Sequence, residues 1–371
     1  MESYIKEIQI KKVRHLENLT INTGDSGFKH IIITGKNGSG KTSVLEMMRS
    51  YLELFPDSPQ LESVNGVKVE FDKKFAMLQK YQKGEFILAY FSATRNVKIE
   101  IPTNVPKIQL QEKYNMEENI GRQFLNYLVY LKTQQSFARN ENDMAEVNKI
   151  SEWFERFEQA LRTLFEDESI TLKFDYKELN FKISQNNRED YGFDALSDGY
   201  SAVLDIVINL ILRMEKHHKQ AYDMEGIVVI DELENHLHIG LQKKILPFLT
   251  AFFPKIQFII STHSPFIISS IENAVIYDLE NRKQVTDLSG YGYEGIVEGY
   301  FNVNQYSEKV MNKLERYQKL VETQEKREQE REEELELRGY LKNISSELAP
   351  DVALAFNRIE LERKNKLKMQ G

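Results

Sequence analysis

The sequence predicts an α/β fold: a mixed sheet with flanking helices, split by a largely helical insertion and followed by a helical C-terminal tail. Three observations predict it. An apolar β-branched run (Ile31, Ile32, Ile33) feeds a glycine-rich loop and then a helical pattern (Val44, Leu45, Met47, Met48). Two more short β-branched runs, at 227–230 and 257–260, read as central parallel strands buried on both faces. Between these blocks, residues 119–166 carry apolar side chains at helical spacing.

In chain order, Ile5, Ile8, Ile10 and Val13 alternate loosely as a first strand. Leu16, Leu19 and Ile21 suggest a second, expected to close against the strand at 31–34 in a short antiparallel sheet. The helix after Thr42 is expected to reach about Leu54 and stop before Pro56. From 57 to 190 the pattern changes, and this block reads as an insertion. Val67, Val69 and Phe71 alternate with charges as an exposed strand, and residues 86–91 are apolar on both faces, as in a buried strand. Thr94 and Arg95 follow its tip, where either can face a nucleotide or sit solvated at a loop mouth. Phe124, Leu125, Leu128 and Leu131 form one helical stripe. Ile150, Trp153, Phe154, Phe157, Leu161, Leu164 and Phe165 form another. An aromatic core seam between two helices explains them better than a base-stacking platform. Leu172, Phe174 and Tyr176, then Leu179, Phe181 and Ile183, alternate as a hairpin.

Residues 191–279 return to α/β character. A helix begins at Ser197, residues 241–252 read as a crossover helix that Pro247 fits badly, and a last strand is expected at 274–279. Beyond Asn304 the chain is helical and densely charged. No aliphatic side chain lies between Glu322 and Glu334, so an exposed helix is expected there and not a coiled coil. The stripe Leu348, Val352, Phe356, Ile359 and Leu361 must then cover the head, a second copy or a partner.

The chemistry starts at Gly35-Lys36-Asn37-Gly38-Ser39-Gly40-Lys41-Thr42. Strand, glycine loop and helix in this order are the context of a phosphate-binding loop. Its glycines let backbone N–H groups turn toward a phosphate at the positive end of the helix, with Asn37, Ser39 and Ser43 in the same cradle. Lys41 suits the β- and γ-phosphates, and the Thr42 hydroxyl suits Mg²⁺. Three further segments join it. Asp231 and Glu232 end an apolar strand, where the first can hold Mg²⁺ and the second can polarise water. Leu196-Ser197-Asp198-Gly199-Tyr200 opens a helix and offers a second anion site through Ser197 and Gly199, or simply a good N-cap. Ser261-Thr262-His263-Ser264-Pro265 follows a strand, and the His263 imidazole can donate to a γ-phosphate. His236 and His238 are too sparsely supported to form a metal site.

Composition narrows the classes. There are no cysteines, which excludes disulfides and thiolate-bound zinc and agrees with a cytoplasmic setting. No apolar run is long enough to cross a bilayer, and the start lacks a secretory pattern. A net charge of −8 argues against a surface that coats nucleic acid, though not against a local basic groove.

The four segments occur in the order of the ABC/SMC-type ATPases. Gly38-Ser39-Gly40-Lys41-Thr42 and Asp231-Glu232-Leu233-Glu234-Asn235-His236-Leu237-His238 resemble the soluble branch that includes overcoming-lysogenization-defect and Septu-type ATPases of bacterial antiphage systems. The resemblance implies a head formed by residues 1–56 and 191–303, an insertion at 57–190 and a charged tail at 304–371. It implies ATP and Mg²⁺ as cofactors. It also implies a homodimer or higher homo-oligomer with ATP sandwiched between heads, so that Ser197 and Gly199 meet the nucleotide of the other subunit. Glu232 would be the general base, His263 the switch histidine, and residues 235–238 a loop crossing the dimer interface. A separate effector, a nuclease or toxin, is the partner this reading favours, with nucleic acid left open and no membrane. Asp198 and Tyr200 depart from the usual glycine and glutamine of the signature, and the usual glutamine-bearing loop has no clear equivalent beyond residues 94–95. The alternative is a recombination-type repair ATPase that clamps DNA, although the insertion is short and aromatic for a long arm. A scaffold that binds ATP without turnover would not need Glu232.

Overall fold

A computed structural model describes residues 3–24, 27–95, 101–102, 104–105, 108–216, 222–300, 308–323, 325–344 and 349–369. The chain divides into two compact units, 1–293 and 294–371.

In the first unit, β1 (Tyr4–Val13) and β2 (Leu16–Asn22) form a hairpin, and β3 (His30–Thr34) runs into the glycine loop before α1 (Lys41–Leu54). Then come β4 (Val67–Asp72), α2 (Lys74–Gln82) and β5 (Phe86–Phe91). The helical pair α3 (Phe124–Asn140) and α4 (Met144–Phe165) precedes a small meander of β6 (Thr171–Asp175), β7 (Asn180–Ser184) and β8 (Tyr191–Gly192). The chain returns through α5 (Asp198–Met214), β9 (Glu225–Ile230), α6 (Ile239–Gln242), α7 (Ile245–Phe252) and β10 (Ile256–Ser261). The unit closes with α8 (Pro265–Ile268), β11 (Ala274–Asp278) and β12 (Lys283–Thr286).

The main sheet has six strands in the order β12-β11-β3-β10-β9-β5. All its pairings are parallel except β11 with β12. A separate antiparallel sheet has the order β2-β1-β4. The two sheets share one core, in which Val44, Leu45, Met48 and Leu52 of α1 pack with Ile8 and Ile10 from one sheet and Ile31, Ile33 and Val229 from the other. Burial on both sides is why the central strands lack polar alternation.

Three expectations change here. The second strand pairs only with β1, because β3 is already flanked by β10 and β11. The block drawn as an insertion from 57 supplies β4 and β5 to the two head sheets, so a split at 56 cuts through the core. The helix expected over 241–252 is broken at Lys243–Lys244, and Pro247 falls in the first turn of α7, where no backbone N–H is needed. The aromatic seam is as expected. Phe157 stacks on Trp153 and meets Phe124 edge-on, while Phe154 stacks on Phe181.

The second unit holds the short helix α9 (Tyr293–Gly295, its first residue at the boundary) and then α10 (Glu308–Glu322), α11 (Glu328–Lys342) and α12 (Pro350–Met369). The last three build a core of their own, with Tyr317, Leu320, Leu337 and Leu341 against Val352, Phe356 and Ile359. The tail stripe is therefore covered by its own unit. Leu361 points away at 62% exposure, and Leu348 lies outside the described residues. The expected charged helix is interrupted between α10 and α11, and α11 starts afresh where the Arg327 backbone N–H donates to Glu330 Oε2 at 2.9 Å. No helix among the described residues is long and apolar enough to cross a membrane.

Candidate active site

The loop between β3 and α1 turns on three glycines with left-handed φ: Gly35 at 139°, Gly38 at 83° and Gly40 at 99°. At Gly35 and Gly40 a Cβ would also come within 2.7 Å of Ser39 Oγ and 2.9 Å of Leu16 Cδ1. Gly40 starts α1 with no side-chain cap and no acid in the first turn, which leaves the first N–H groups of the helix for an anion. Lys41 is buried, and its Nζ donates to the Gly35 carbonyl at 2.7 Å and the Lys36 carbonyl at 3.2 Å. Burial lowers its pKa, opposed by Glu234, Glu232, Asp231 and Asp278. Two neutral carbonyls are weaker partners for an ammonium than phosphate oxygens, so an arriving phosphate can displace them.

The end of β9 supplies the carboxylates. Asp231 is buried, its Oδ1 accepts from Ser261 Oγ, and its N–H donates to the Phe91 carbonyl at 2.8 Å. Ser261 Oγ accepts in turn from the Glu232 N–H at 2.8 Å. Glu232 has a left-handed φ of 45°, which breaks the strand line at that residue. A cleft of about 390 Å³ brings Asn37, Gly38, Lys41, Thr42 and Ser43 together with Glu232 and His263.

Sequence reasoning missed three contributors. Arg14 and His15, from the turn between β1 and β2, line the same cleft. The left-handed φ of 52° at Arg14 marks that turn, but nothing in the local sequence links it to the loop. The third is Glu234, only 7% exposed. Its Oε1 accepts from the His263 backbone N–H at 2.6 Å and faces His263 Nδ1 at 3.0 Å. That hydrogen bond raises the His263 pKa against partial burial. Burial pushes Glu234 upward, but hydrogen bonds from the His263 side chain and backbone outweigh it and hold the carboxyl below its usual range.

Ser197 and Gly199 are not among the residues lining the cleft. Ser197 takes N-cap backbone angles at α5, yet its hydroxyl makes no capping bond, contrary to the simple N-cap alternative. Gly199 is buried, and a Cβ there would come 2.8 Å from the His236 carbonyl. Residues 235–238 are pinned by Asn235 Nδ2 donating to the Ala93 carbonyl at 3.0 Å and by His238 capping α6. Arg95 is neither solvated nor in the cleft lining. It is buried and donates to backbone carbonyls at 231–233, because the segment after β5 runs alongside the end of β9.

Among the described residues, no group of three or more His, Cys, Asp or Glu could hold a metal on its own. A hydroxyl and a carboxylate at Thr42 and Asp231 nevertheless fit Mg²⁺, a hard cation usually held by one or two carboxylates together with phosphates. Ser39 Oγ, buried without a hydrogen-bond partner, is a further unused polar atom in the loop.

Residues 131–269 match the family described as "AAA domain, putative AbiEii toxin, Type IV TA system", a stretch that carries Ser197, Glu232 and His263. The chain is 22% identical to "Septu protein PtuA" of Bacillus mycoides (strain KBAB4) across 94% of its own length and 51% of that relative, so it spans about half of that protein. It is 32% identical to "Retron Ec83 probable ATPase" of Escherichia coli over 34% of this chain and 25% of that one. Among solved structures, the SMC head domain from Thermotoga maritima aligns with a TM-score of 0.40 and 12% identity, covering 73% of this chain and 94% of that one. The chain is thus similar to this AAA-domain family over residues 131–269 and to Septu and retron proteins, and it carries the glycine loop, the Asp-Glu strand end and the paired His263 together.

Proposed function

We propose that this chain is a Mg²⁺-dependent ATP hydrolase whose ATP-driven head engagement controls a separate effector, a nuclease or toxin, in bacterial antiphage defence. The observation that carries the reading is the meeting of Lys41, Glu232 and His263 in one cleft at the start of α1. ATP enters with its phosphates on the glycine loop, and Lys41 exchanges its two carbonyls for β- and γ-phosphate oxygens. Mg²⁺, when bound, offsets phosphate charge, with Thr42 and Asp231 as its protein ligands. Glu232 polarises the attacking water and takes up its proton.

His263 has a constraint that follows from its partner. Nδ1 faces Glu234, so in the neutral ring with the proton on Nδ1 the other nitrogen is only an acceptor. Nε2 can donate to a γ-phosphate only in the imidazolium form, and the raised pKa favours that form. Ser197 and Gly199 stand outside the cleft of their own chain, which supports a second copy as the owner of the phosphate they contact.

The test is a pair of variants. Lys41→Ala is expected to abolish nucleotide binding, while Glu232→Gln keeps binding and slows turnover, since only activation of water is lost. Wild-type turnover by Glu232→Gln would remove the general-base assignment.

A further inference from the structure

We infer that Arg95 is the positioning residue of the hydrolytic turn, holding Asp231 and Glu232 in place through their backbone carbonyls. This rests on the reading of Glu232 as the group that polarises water. Arg95 is 8% exposed, and its fork spans three consecutive residues. Nη1 donates to the Asp231 carbonyl at 3.0 Å, and Nη2 to the Glu232 and Leu233 carbonyls at 2.8 and 3.3 Å.

The need for such a clamp follows from the fold. β9 ends at Ile230, and the next residues leave the sheet through the left-handed backbone of Glu232. Their carbonyls thereby leave the strand ladder, and buried carbonyls need partners. A planar guanidinium can serve several at once, where a lysine presents a single nitrogen. The surrounding contacts aim at the same turn. The Asp231 N–H reaches the Phe91 carbonyl, and Asn235 Nδ2 reaches the Ala93 carbonyl, so the stretch from the end of β5 to Ala93, just ahead of Arg95, is laced to the segment after β9.

Among the described residues, the charge is balanced at a distance and not by a direct ion pair. The guanidinium donates to carbonyls, while Asp205, Glu234, Asp231 and Glu232 oppose the downward push of burial on its pKa. Asp205 is itself buried, on α5, where burial raises it to about 6 against hydrogen bonds from Asn209 and Asn119. A surface or nucleotide-facing arginine would have no reason for this environment. A residue fixing the backbone of the general base does.

The experiment is a double-mutant cycle on the full chain, with kcat and KM for ATP measured separately. Arg95→Ala and Arg95→Lys are each expected to lower kcat by about 10²-fold, as for a reacting group displaced by about 1 Å, with KM within about twofold. Because Arg95 acts through Glu232, the double variants with Glu232→Gln are expected to be no slower than Glu232→Gln alone. Losses that multiply in the double variant, or a rise in KM with kcat unchanged, would overturn the inference. If Arg95→Ala folds poorly, Arg95→Lys, which keeps the buried charge, carries the cycle. A slow Glu232→Gln with a fast Arg95→Lys sinks only the positioning role, whereas a fast Glu232→Gln sinks the underlying reading as well.

Discussion

Replacing Gly199 by alanine tests how tightly the start of α5 is held against the turn after Glu232. The backbone of Gly199 is helical, so no left-handed strain is involved and the whole effect is steric. The new Cβ would stand 2.8 Å from the His236 carbonyl oxygen, short of the 3.4 Å at which ordinary contact begins. Either α5 or residues 235–238 must retreat by about 0.6 Å. The neighbour is backbone, pinned by the Asn235 bond to the Ala93 carbonyl, so it cannot swing aside as a side chain would. Overpacking of this kind costs ~1–3 kcal/mol, which lowers Tm by a few degrees in a domain of this size. The functional effect should exceed the thermal one, because the same displacement moves Ser197. Thermal melts and steady-state ATP hydrolysis on one preparation give both. A variant with unchanged Tm and wild-type turnover would refute the close approach and the importance of the α5 terminus alike.

Glu234→Gln removes the carboxylate that raises the His263 pKa, so His263 should lose its proton at lower pH. Activity that depends on imidazolium falls as pH rises through that pKa. The alkaline limb of the rate profile should therefore move to lower pH, and an unmoved limb would exclude His263 as the donor. Mixing Lys41→Ala with Ser197→Arg subunits should restore at most one working site per dimer, and full activity in a strictly monomeric preparation would exclude composite sites. In the tail unit, Glu360 is held at about 2, because hydrogen bonds from Arg338 and Tyr317 outweigh burial. Its contribution is present above the usual carboxylate pKa and is lost as pH falls toward about 2. Amide exchange in α10–α12 should rise over that window in the wild type and much less in Glu360→Gln.

Local chemistry was the legible part of this chain. The glycine loop, the Asp231-Glu232 strand end and the stretch from Ser261 to His263 each follow an apolar run, and each lies where the strand pattern places it. Long-range pairing was less legible. Nothing in residues 67–71 or 86–91 says that β4 completes the small sheet or that β5 ends the large one, because alternation reports burial and not neighbours. The roles of Arg95 and Glu234 escape the sequence for the same reason. Their partners lie 136 or more and 29 residues away, and a single buried charge leaves no periodic trace. The tail stripe was seen, but its cover was not, since the partner side chains on α10 and α11 are scattered among many charges.

The position of β3 has a consequence for how the molecule comes into being. Ile31 pairs with Ile259, so the strand that feeds the nucleotide loop waits for a neighbour roughly 230 residues downstream. At about 5–20 residues per second of synthesis, that interval is on the order of 10–50 s. During it, a His-Ile-Ile-Ile-Thr segment with two unpaired edges is exposed to whatever else is nascent nearby. The hairpin of β1 and β2 can form at once, but the site itself cannot exist on any fragment that stops short of β10. Late closure of an isoleucine strand makes assembly of this head an all-or-none event that waits for β10, and makes a product truncated before it a hazard for aggregation instead of a weakened head.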